Sequence, residues 1–200
     1  IDKMVDISGK GIKRIDDMID ILRKYAREGY QKETTSLGID DAISNITTLI
    51  APKEDKTVSI TTILNAPDFF LPCIPEDMHQ ALRNPIQNAV DASPDGSSVR
   101  VRSQMQGGTY TLTVEDDGHG VPKALMTRIF SPFFSTKDPG KGMGIGLSIT
   151  RQIVAQHGGT AKIWNREKDG NPVGATFEIS IPAADQIRIS SPSIPIPIQL

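Results

Sequence analysis

The sequence of 200 residues has one cysteine, few aromatic residues and no strong excess of charge of either sign. The single cysteine, Cys73, excludes an internal disulfide and favours a reducing compartment. The formal net charge of −2 argues against nucleic acid or an anionic membrane as the main partner, because both favour a basic surface. No apolar run approaches the ~20 residues that cross a bilayer. We therefore expect a cytoplasmic chain with no membrane segment of its own.

A methionine start and a secretory signal are also absent. The chain opens on Ile1, which predicts a piece of a longer protein. Hydrophobic residues make up 38% of the sequence and charged residues 23%, which is enough for one core and an appendage.

Residues 1–29 predict one long helix with a heptad seam. Mostly apolar residues follow each other at alternating steps of four and three from Ile1 to Ala26. Met18 and Tyr25 widen this stripe beyond a two-stranded seam, which suits a four-helix bundle. So broad a stripe needs partners that this chain does not supply. The pattern therefore favours a homodimer over a core helix of a monomer.

After a polar linker at residues 30–36, the patterning predicts one α+β domain over residues 37–183. We expect a two-layer α/β sandwich, with a mixed sheet of about five strands and three helices on one face. Helices are predicted over 39–51, 75–94 and 144–157. Strands are predicted over 57–64, 98–104, 109–115, 160–165 and 175–181, with a short further strand over 69–73. Residues 184–200 are rich in proline and serine, which predicts a flexible tail.

Two asparagines stand one turn apart in the second of these helices, in the stretch RNPIQNAVDA. Asn84 and Asn88 project from one helix face, with Asp91 almost directly below. Amide oxygens are hard ligands, and Mg²⁺ on a nucleotide takes only one or two protein oxygens. Taken alone, such asparagines are more often exposed or capping residues. Pro85 leaves the carbonyl of Ala81 without its helical partner, which predicts a kink or bulge beside them.

Two glycine-rich segments have sequences that allow the main chain to approach a ligand closely. Asp116–Gly120 (DDGHG) follows a strand, and its alternate glycines let backbone approach a flat ligand beside a carboxylate. A tight turn is the alternative. Gly140–Leu147 (GKGMGIGL) runs into a helix start, which frees successive N–H groups to face phosphate oxygens. Its spacing matches neither a P-loop nor the dinucleotide fingerprint. A flexible linker is the alternative here, and the apolar helix that follows at once argues against it.

In this order, the three segments resemble the catalytic, ATP-binding domain of sensor histidine kinases, members of the GHKL superfamily with the Bergerat fold. RNPIQNAVDA looks like the N box of that family, Asp116–Gly120 like its first glycine box and Gly142–Leu147 like its second. Between them, Ile129–Lys137 (IFSPFFSTK) looks like the F box, and Gly174–Phe177 (GATF) resembles the last glycine–threonine element. The stretch LRKYAR is similar to the second helix of the family's dimerisation and phosphoacceptor hairpin.

The resemblance implies a site for ATP and Mg²⁺. Asn88 would coordinate Mg²⁺, and Asn84 would lie at the phosphates. Asp116 would accept a hydrogen bond from the adenine amino group, and Lys137 would be a cation near the γ-phosphate. Asn84, Asn88 and Lys137 are therefore the expected catalytic residues. The other expected nucleotide-binding residues are Asp91, Gly118, Gly120, Val121, Phe133, Thr136, Gly140, Gly142, Met143, Gly144, Ile145, Gly146, Leu147 and Thr176.

The resemblance also implies a lid over the nucleotide, formed by residues 121–141, with Phe133 and Phe134 as apolar latches. One departure concerns Asp91, because many family members carry a basic residue there. Phosphate neutralisation is therefore expected to depend more on Lys137 or Arg128.

The implied function is that of an ATP-dependent protein-histidine kinase in a two-component system. The phosphoryl group would pass from ATP to a histidine and then to an aspartate of a response regulator. His79, His119 and His157 are each followed by glutamine or glycine, whereas the family's acceptor is usually followed by an acid. The acceptor is therefore expected on an upstream bundle helix absent from this chain. Expected partners are adenine nucleotide, a response-regulator receiver domain and a second copy of the chain, and not nucleic acid.

Two alternatives share the fold. A GHKL-type ATPase would carry a glutamate as general base one turn before the metal asparagine. This chain has Asn84 there, which cannot take a proton. A degenerate kinase that only binds nucleotide or a partner is the other alternative, although all nucleotide motifs look intact.

Overall fold

The structure is a computed structural model, and it describes residues 33–50, 56–137 and 143–183. The helices are α1 (Ile39–Leu49), α2 (Pro75–Ala92) and α3 (Gly146–Gln156), with a 3-10 turn at Lys123–Leu125. The strands are β1 (Thr35–Gly38), β2 (Ser59–Asn65), β3 (Phe70–Cys73), β4 (Ser98–Gln106), β5 (Thr109–Glu115), β6 (Thr160–Lys168) and β7 (Asn171–Pro182). The predicted long helix at 1–29, the predicted tail at 184–200, Gly140 and Gly142 lie outside the described residues.

Five strands form one mixed sheet in the order β2-β4-β5-β7-β6. β2 and β4 are parallel, and the other neighbours are antiparallel. Alternation along β5 buries Tyr110, Leu112 and Val114 in the core and leaves the threonines between them only partly buried. Buried apolar residues from all three helices belong to the same core. The predicted two-layer α/β sandwich, with its five-stranded mixed sheet and three helices, is confirmed.

A small second sheet lies beside this sandwich. The short strand predicted over 69–73 is present as β3, and it pairs antiparallel with β1. β1 begins at Thr35, in a stretch that patterning alone reads as the end of a linker. Two of its four residues are exposed and two are partly buried, so the alternation that predicts a strand is absent.

Helix α2 is α-helical without interruption, although Pro85 lies inside it. Pro85 has no N–H to donate to the carbonyl of Ala81. This carbonyl accepts a hydrogen bond of 3.1 Å from the buried hydroxyl of Thr150 instead. A side chain of α3 therefore supplies the donor that the helix backbone lacks. The bulge predicted here is not seen, and the kink stays a prediction. The same contact fixes α2 against α3, the two helices that border the candidate site.

Candidate nucleotide-binding site

A pocket of about 590 Å³ lies between α2, the start of α3, the glycine turn after β5 and the segment that follows this turn. Its volume lies in the range of small-molecule and cofactor sites. The sequence-predicted site residues that line it are Asn84, Asn88, Asp91, Asp116, Gly120, Val121, Thr136, Lys137, Met143, Gly144, Ile145, Gly146 and Leu147. Part of its apolar lining comes from residues that were not predicted as site residues, among them Val114, Ile129, Ile163 and Phe177. Ile129 and Phe177 lie in the quoted motifs, whereas Val114 and Ile163 have the pattern of ordinary strand positions, and only the fold shows that they border a pocket.

Asp116 is a buried carboxylate at the sheet side of this pocket, 7% exposed. Its Oδ1 accepts hydrogen bonds from the backbone N–H groups of Gly118 at 2.8 Å and Ala175 at 3.1 Å. Its Oδ2 receives no hydrogen bond from the described residues. Burial raises the pKa of Asp116, and the two backbone hydrogen bonds and nearby Arg166 oppose that rise in part. A buried acceptor with one oxygen still available fits an amino group such as that of adenine.

Gly118 and Thr176 support Asp116 without lining the pocket. A Cβ at Gly118 would lie 2.7 Å from the carbonyl oxygen of Ala92 and 2.9 Å from Oδ1 of Asp116, closer than real contacts allow. Glycine therefore lets the turn pack on the end of α2. Thr176 is 3% exposed and pairs with Glu115 across the sheet. Its backbone neighbour Ala175 provides one of the donors to Asp116.

Two residues of β6 that sequence reasoning missed also hold the glycine turn. Asn165 accepts the N–H of Val121 at 2.7 Å and donates to the carbonyl of Val121 at 2.9 Å. Arg166 donates through Nη1 to the carbonyl of Asp116 at 2.6 Å and to Oδ1 of Asp117 at 2.8 Å. The β6–β7 register shifts just after Asn165. No local signal identifies these residues, because their role depends on that register.

At the α2 side of the pocket, Lys137 joins two oxygens that lie one turn apart. Its Nζ donates to Oδ2 of Asp91 at 2.6 Å and to Oδ1 of Asn88 at 3.1 Å. An amide oxygen and a carboxylate oxygen that share one cation form a donor set that also fits Mg²⁺. The described residues hold no group of three or more His, Cys, Asp or Glu side chains able to bind a metal. Mg²⁺ at this position would therefore need further oxygens from a phosphate ligand.

Asn84 contacts the start of α3. Its Nδ2 donates to the carbonyl of Gly146 at 2.8 Å. Gly144 has a φ of 70°, and a Cβ there would overlap the backbone of Phe134. The last glycines of the string thus bring the positive end of α3 to the pocket, where N–H groups can meet an anion. Asn84 therefore borders the pocket and also positions the start of α3.

The aromatic residues of the IFSPFFSTK stretch point in different directions. Phe130 is buried against Phe177, with ring centroids 6.0 Å apart. Phe134 lines the pocket, and the guanidinium of Arg128 lies 4.8 Å from its ring centroid. Phe133 is 51% exposed and does not line the pocket. Of the two predicted latches, only Phe134 faces the pocket in this structure.

Cys73 takes no part in the site. It is 2% exposed, and burial together with the nearby charge of Asp77 raises its pKa to about 11. Its thiol is therefore protonated and unreactive at neutral pH.

These features define a ligand-binding domain on an α/β sandwich. A family model described as "Histidine kinase-, DNA gyrase B-, and HSP90-like ATPase" matches residues 73–185, which is more than half of the chain. The chain belongs to this family of ATP-binding domains, and within it to the histidine kinase type. The resemblance of the motifs to the ATP-binding domain of histidine kinases is confirmed, and the resemblance of LRKYAR to a dimerisation helix stays a prediction.

Individual relatives agree with this assignment. Sporulation kinase A of Bacillus subtilis is 27% identical over 88% of this chain, and the sensor-like histidine kinase SenX3 of Mycolicibacterium smegmatis is 28% identical over 90%. The chain spans 28% and 47% of the length of these two relatives. The solved catalytic domain of histidine kinase ThkA is 29% identical, with a TM-score of 0.65. That match covers 76% of this chain and 96% of the ThkA domain.

Within the described ranges, no helix is both long enough and apolar enough to cross a membrane.

Proposed function

We propose that this chain is the catalytic module of a protein-histidine kinase in a two-component system. It binds Mg-ATP in the pocket and transfers the γ-phosphoryl group to a histidine. The observation that carries the proposal is that one pocket holds both halves of a nucleotide site. Asp116 offers a buried acceptor at one side, and Asn88, Asp91 and Lys137 form a cation position at the other.

Each residue has a role that its environment supports. Oδ2 of Asp116 accepts from the adenine amino group. Oδ1 of Asn88 would hold Mg²⁺, which would supply positive charge to neutralise the phosphates. Lys137 would exchange its contact with Asn88 for one with the γ-phosphate, and the N-terminus of α3, held by Asn84, would face the phosphate chain. Phosphoryl transfer depends mainly on positioning and charge neutralisation, so this set of groups is sufficient.

The acceptor histidine is proposed to lie outside this chain. His79 is in α2, and His119 lines the nucleotide pocket itself. His157 ends α3, and its Nδ1 lies 2.8 Å from the carbonyl oxygen of Ile153. All three belong to the catalytic domain and not to a bundle helix. The acceptor would lie on a helix that pairs with residues 1–29 in a homodimer.

The proposed downstream partner is a response-regulator receiver domain. Histidine kinase ThkA, whose catalytic domain matches this one, has been solved in complex with the response regulator protein TrrA. A cytoplasmic location is part of the same proposal.

ATP hydrolysis is the weaker candidate, because the position where a hydrolase would carry its glutamate base holds Asn84. The amide of Asn84 cannot accept a proton, and it is already bonded to Gly146. Asp91 and Asp116 are the acidic residues among those that line the pocket. The first carries the Lys137 ion pair, and the second lies on the adenine side.

Calorimetric titration with Mg-ATP tests the site. Asn88→Ala should weaken binding by about 10- to 100-fold, the loss expected for one contact to a charged group. Asn45→Ala removes the same side chain from an exposed position of α1 and should leave the affinity unchanged. Equal affinities for the wild type and the Asn88 variant would refute the metal assignment.

Labelling with γ-labelled ATP tests the kinase proposal. Residues 1–200 alone should take up no label, whereas a chain extended upstream by the missing bundle helix should be labelled on histidine. Label on residues 1–200 would overturn the acceptor proposal. An extended chain that binds Mg-ATP without labelling would favour the binding-only alternative.

A further inference from the structure

The turn from Asp116 to Val121 has no regular secondary structure of its own, yet its backbone is held at both ends by neighbouring side chains of β6. We infer that Asn165 and Arg166, named here the β6 clamp, are positioning residues that set the selectivity of the pocket for adenine. The inference rests on the proposed function, because adenine is the base assigned to Asp116 there.

The side chain of Asn165 makes the hydrogen bonds that a neighbouring strand would make to Val121. A single side chain amide bonds both the N–H and the carbonyl of Val121, as an adjacent strand would. A Cβ at Gly120 would lie 2.8 Å from Oδ1 of Asn165, so glycine allows this close approach. Val121 lines the pocket, and Asn165 therefore fixes the wall at the far end of the turn.

Arg166 holds the near end of the same turn. Its Nη1 bonds the main-chain carbonyl of Asp116 and the carboxylate of Asp117. Asp117 is bonded in turn by Arg100 of β4, at 2.7 Å from Nη2. The main chain of Asp116 is thus tied to β4 and β6. Because Oδ1 of Asp116 is also held by two N–H groups, the direction of the available Oδ2 is fixed.

A fixed acceptor discriminates between a base that offers an amino group and one that offers a carbonyl oxygen. A mobile acceptor can turn away from the wrong base and loses that discrimination. The β6 clamp should therefore affect base selectivity more than phosphate binding.

The test compares the affinities of Mg-ATP and Mg-ITP by calorimetry, since inosine has a carbonyl oxygen where adenosine has its amino group. The wild type should prefer ATP by about tenfold or more. Asn165→Ala should weaken ATP by about tenfold and reduce the ATP-to-ITP ratio. Asn165→Ser, which can restore one of the two hydrogen bonds, should recover part of the ratio. Arg166→Gln should also reduce it.

Asn171→Ala is the matched control, because Asn171 lies on the same hairpin and its side chain is exposed. It should leave the ratio unchanged. If the Asn165 variants melt at a lower temperature but keep the wild-type ratio, the role is structural only and the inference fails. An unchanged ratio and melting temperature would refute it as well. If the wild-type protein binds neither nucleotide, the proposed function itself fails.

Discussion

At the scale of single residues, Asp116 shows a conflict between stability and ligand binding. Burial raises its pKa, so the ionised carboxylate is less favourable in the folded chain than in the unfolded one. The two backbone donors and Arg166 offset only part of this cost. In the free protein, the buried carboxylate thus lacks a hydrogen-bond donor that a bound ligand would supply. Such a loss of stability is common where stability and function compete.

Asp116→Asn should therefore stabilise the folded protein while it weakens ATP binding. The variant keeps an acceptor oxygen for the two N–H groups but carries no charge, and its new NH₂ group faces the amino group of adenine. We expect a loss of about 10- to 100-fold in affinity for Mg-ATP. Urea unfolding at pH 7 should give a higher free energy of unfolding for the variant than for the wild type.

The pH dependence gives this prediction its control. A raised folded pKa means that the penalty is present when the carboxylate is ionised in both states. The difference in unfolding free energy should therefore shrink as the pH falls through the raised pKa of the folded state, and it should be lost below the ordinary aspartate value of 3.8. A variant less stable than the wild type at pH 7 would show that the hydrogen bonds of the carboxylate outweigh its burial.

At the scale of secondary structure elements, the contact between Thr150 and Ala81 predicts a measurable coupling between α2 and α3. Thr150→Val keeps the shape of the side chain but leaves the Ala81 carbonyl buried without its donor, which should cost about 1–3 kcal/mol. Pro85→Ala restores a backbone N–H to the same carbonyl. In that background, Thr150→Val should cost markedly less. Urea unfolding of the two single variants and the double variant measures the coupling free energy.

A coupling free energy near zero would contradict this account of the proline. It would mean that Thr150 contributes to the packing of α3 independently of the gap in the α2 hydrogen bonds. Ser148→Ala is a useful control within α3, because the Ser148 hydroxyl bonds a carbonyl of its own helix turn, that of Ile145. Its cost should be the same with proline or alanine at position 85.

Elements with strong periodicity could be predicted from the sequence, and contacts between elements could not. The helix at Pro75–Ala92 has a proline at its first turn, acids near its start and a periodic apolar face, all of which are local signals. The motifs that predict the pocket are also local signals, because each lies within one short stretch of sequence. Thr150, Asn165 and Arg166 carried no such signal, because each acts on a backbone group between about 44 and 69 positions away in the sequence.

At the scale of the whole molecule, one core joins the helices to the five-stranded sheet, and the pocket lies where α2 and α3 meet the turn after β5. Asp40 shows how distant segments are tied to this core. It is 5% exposed, and it accepts hydrogen bonds from the Ala66 N–H at 2.8 Å and the Tyr110 hydroxyl at 2.9 Å. The first helix of the domain is therefore bound to the middle of the sheet, and the stretch just before it gains a defined position.

This arrangement predicts that residues 33–183 fold as an independent unit that includes β1. A chain of residues 33–183 should keep the unfolding free energy and the Mg-ATP affinity of the 200-residue chain. A chain of residues 39–183 lacks β1, so β3 loses its antiparallel partner. Because each lost hydrogen bond costs about 1 kcal/mol net, we expect a lower free energy of unfolding for this chain in urea.

The comparison of the two shortened chains decides where the domain begins. Equal stability of the 33–183 and 39–183 chains would show that β1 contributes nothing and would favour the sequence-predicted boundary near residue 37. A 33–183 chain less stable than the 200-residue chain would show that the unit extends beyond these limits. Because β1 and β3 do not line the pocket, both shortened chains should bind Mg-ATP with the same affinity wherever they are folded. Loss of nucleotide binding in a folded 39–183 chain would mean instead that the small sheet controls the position of α2, which follows β3 directly.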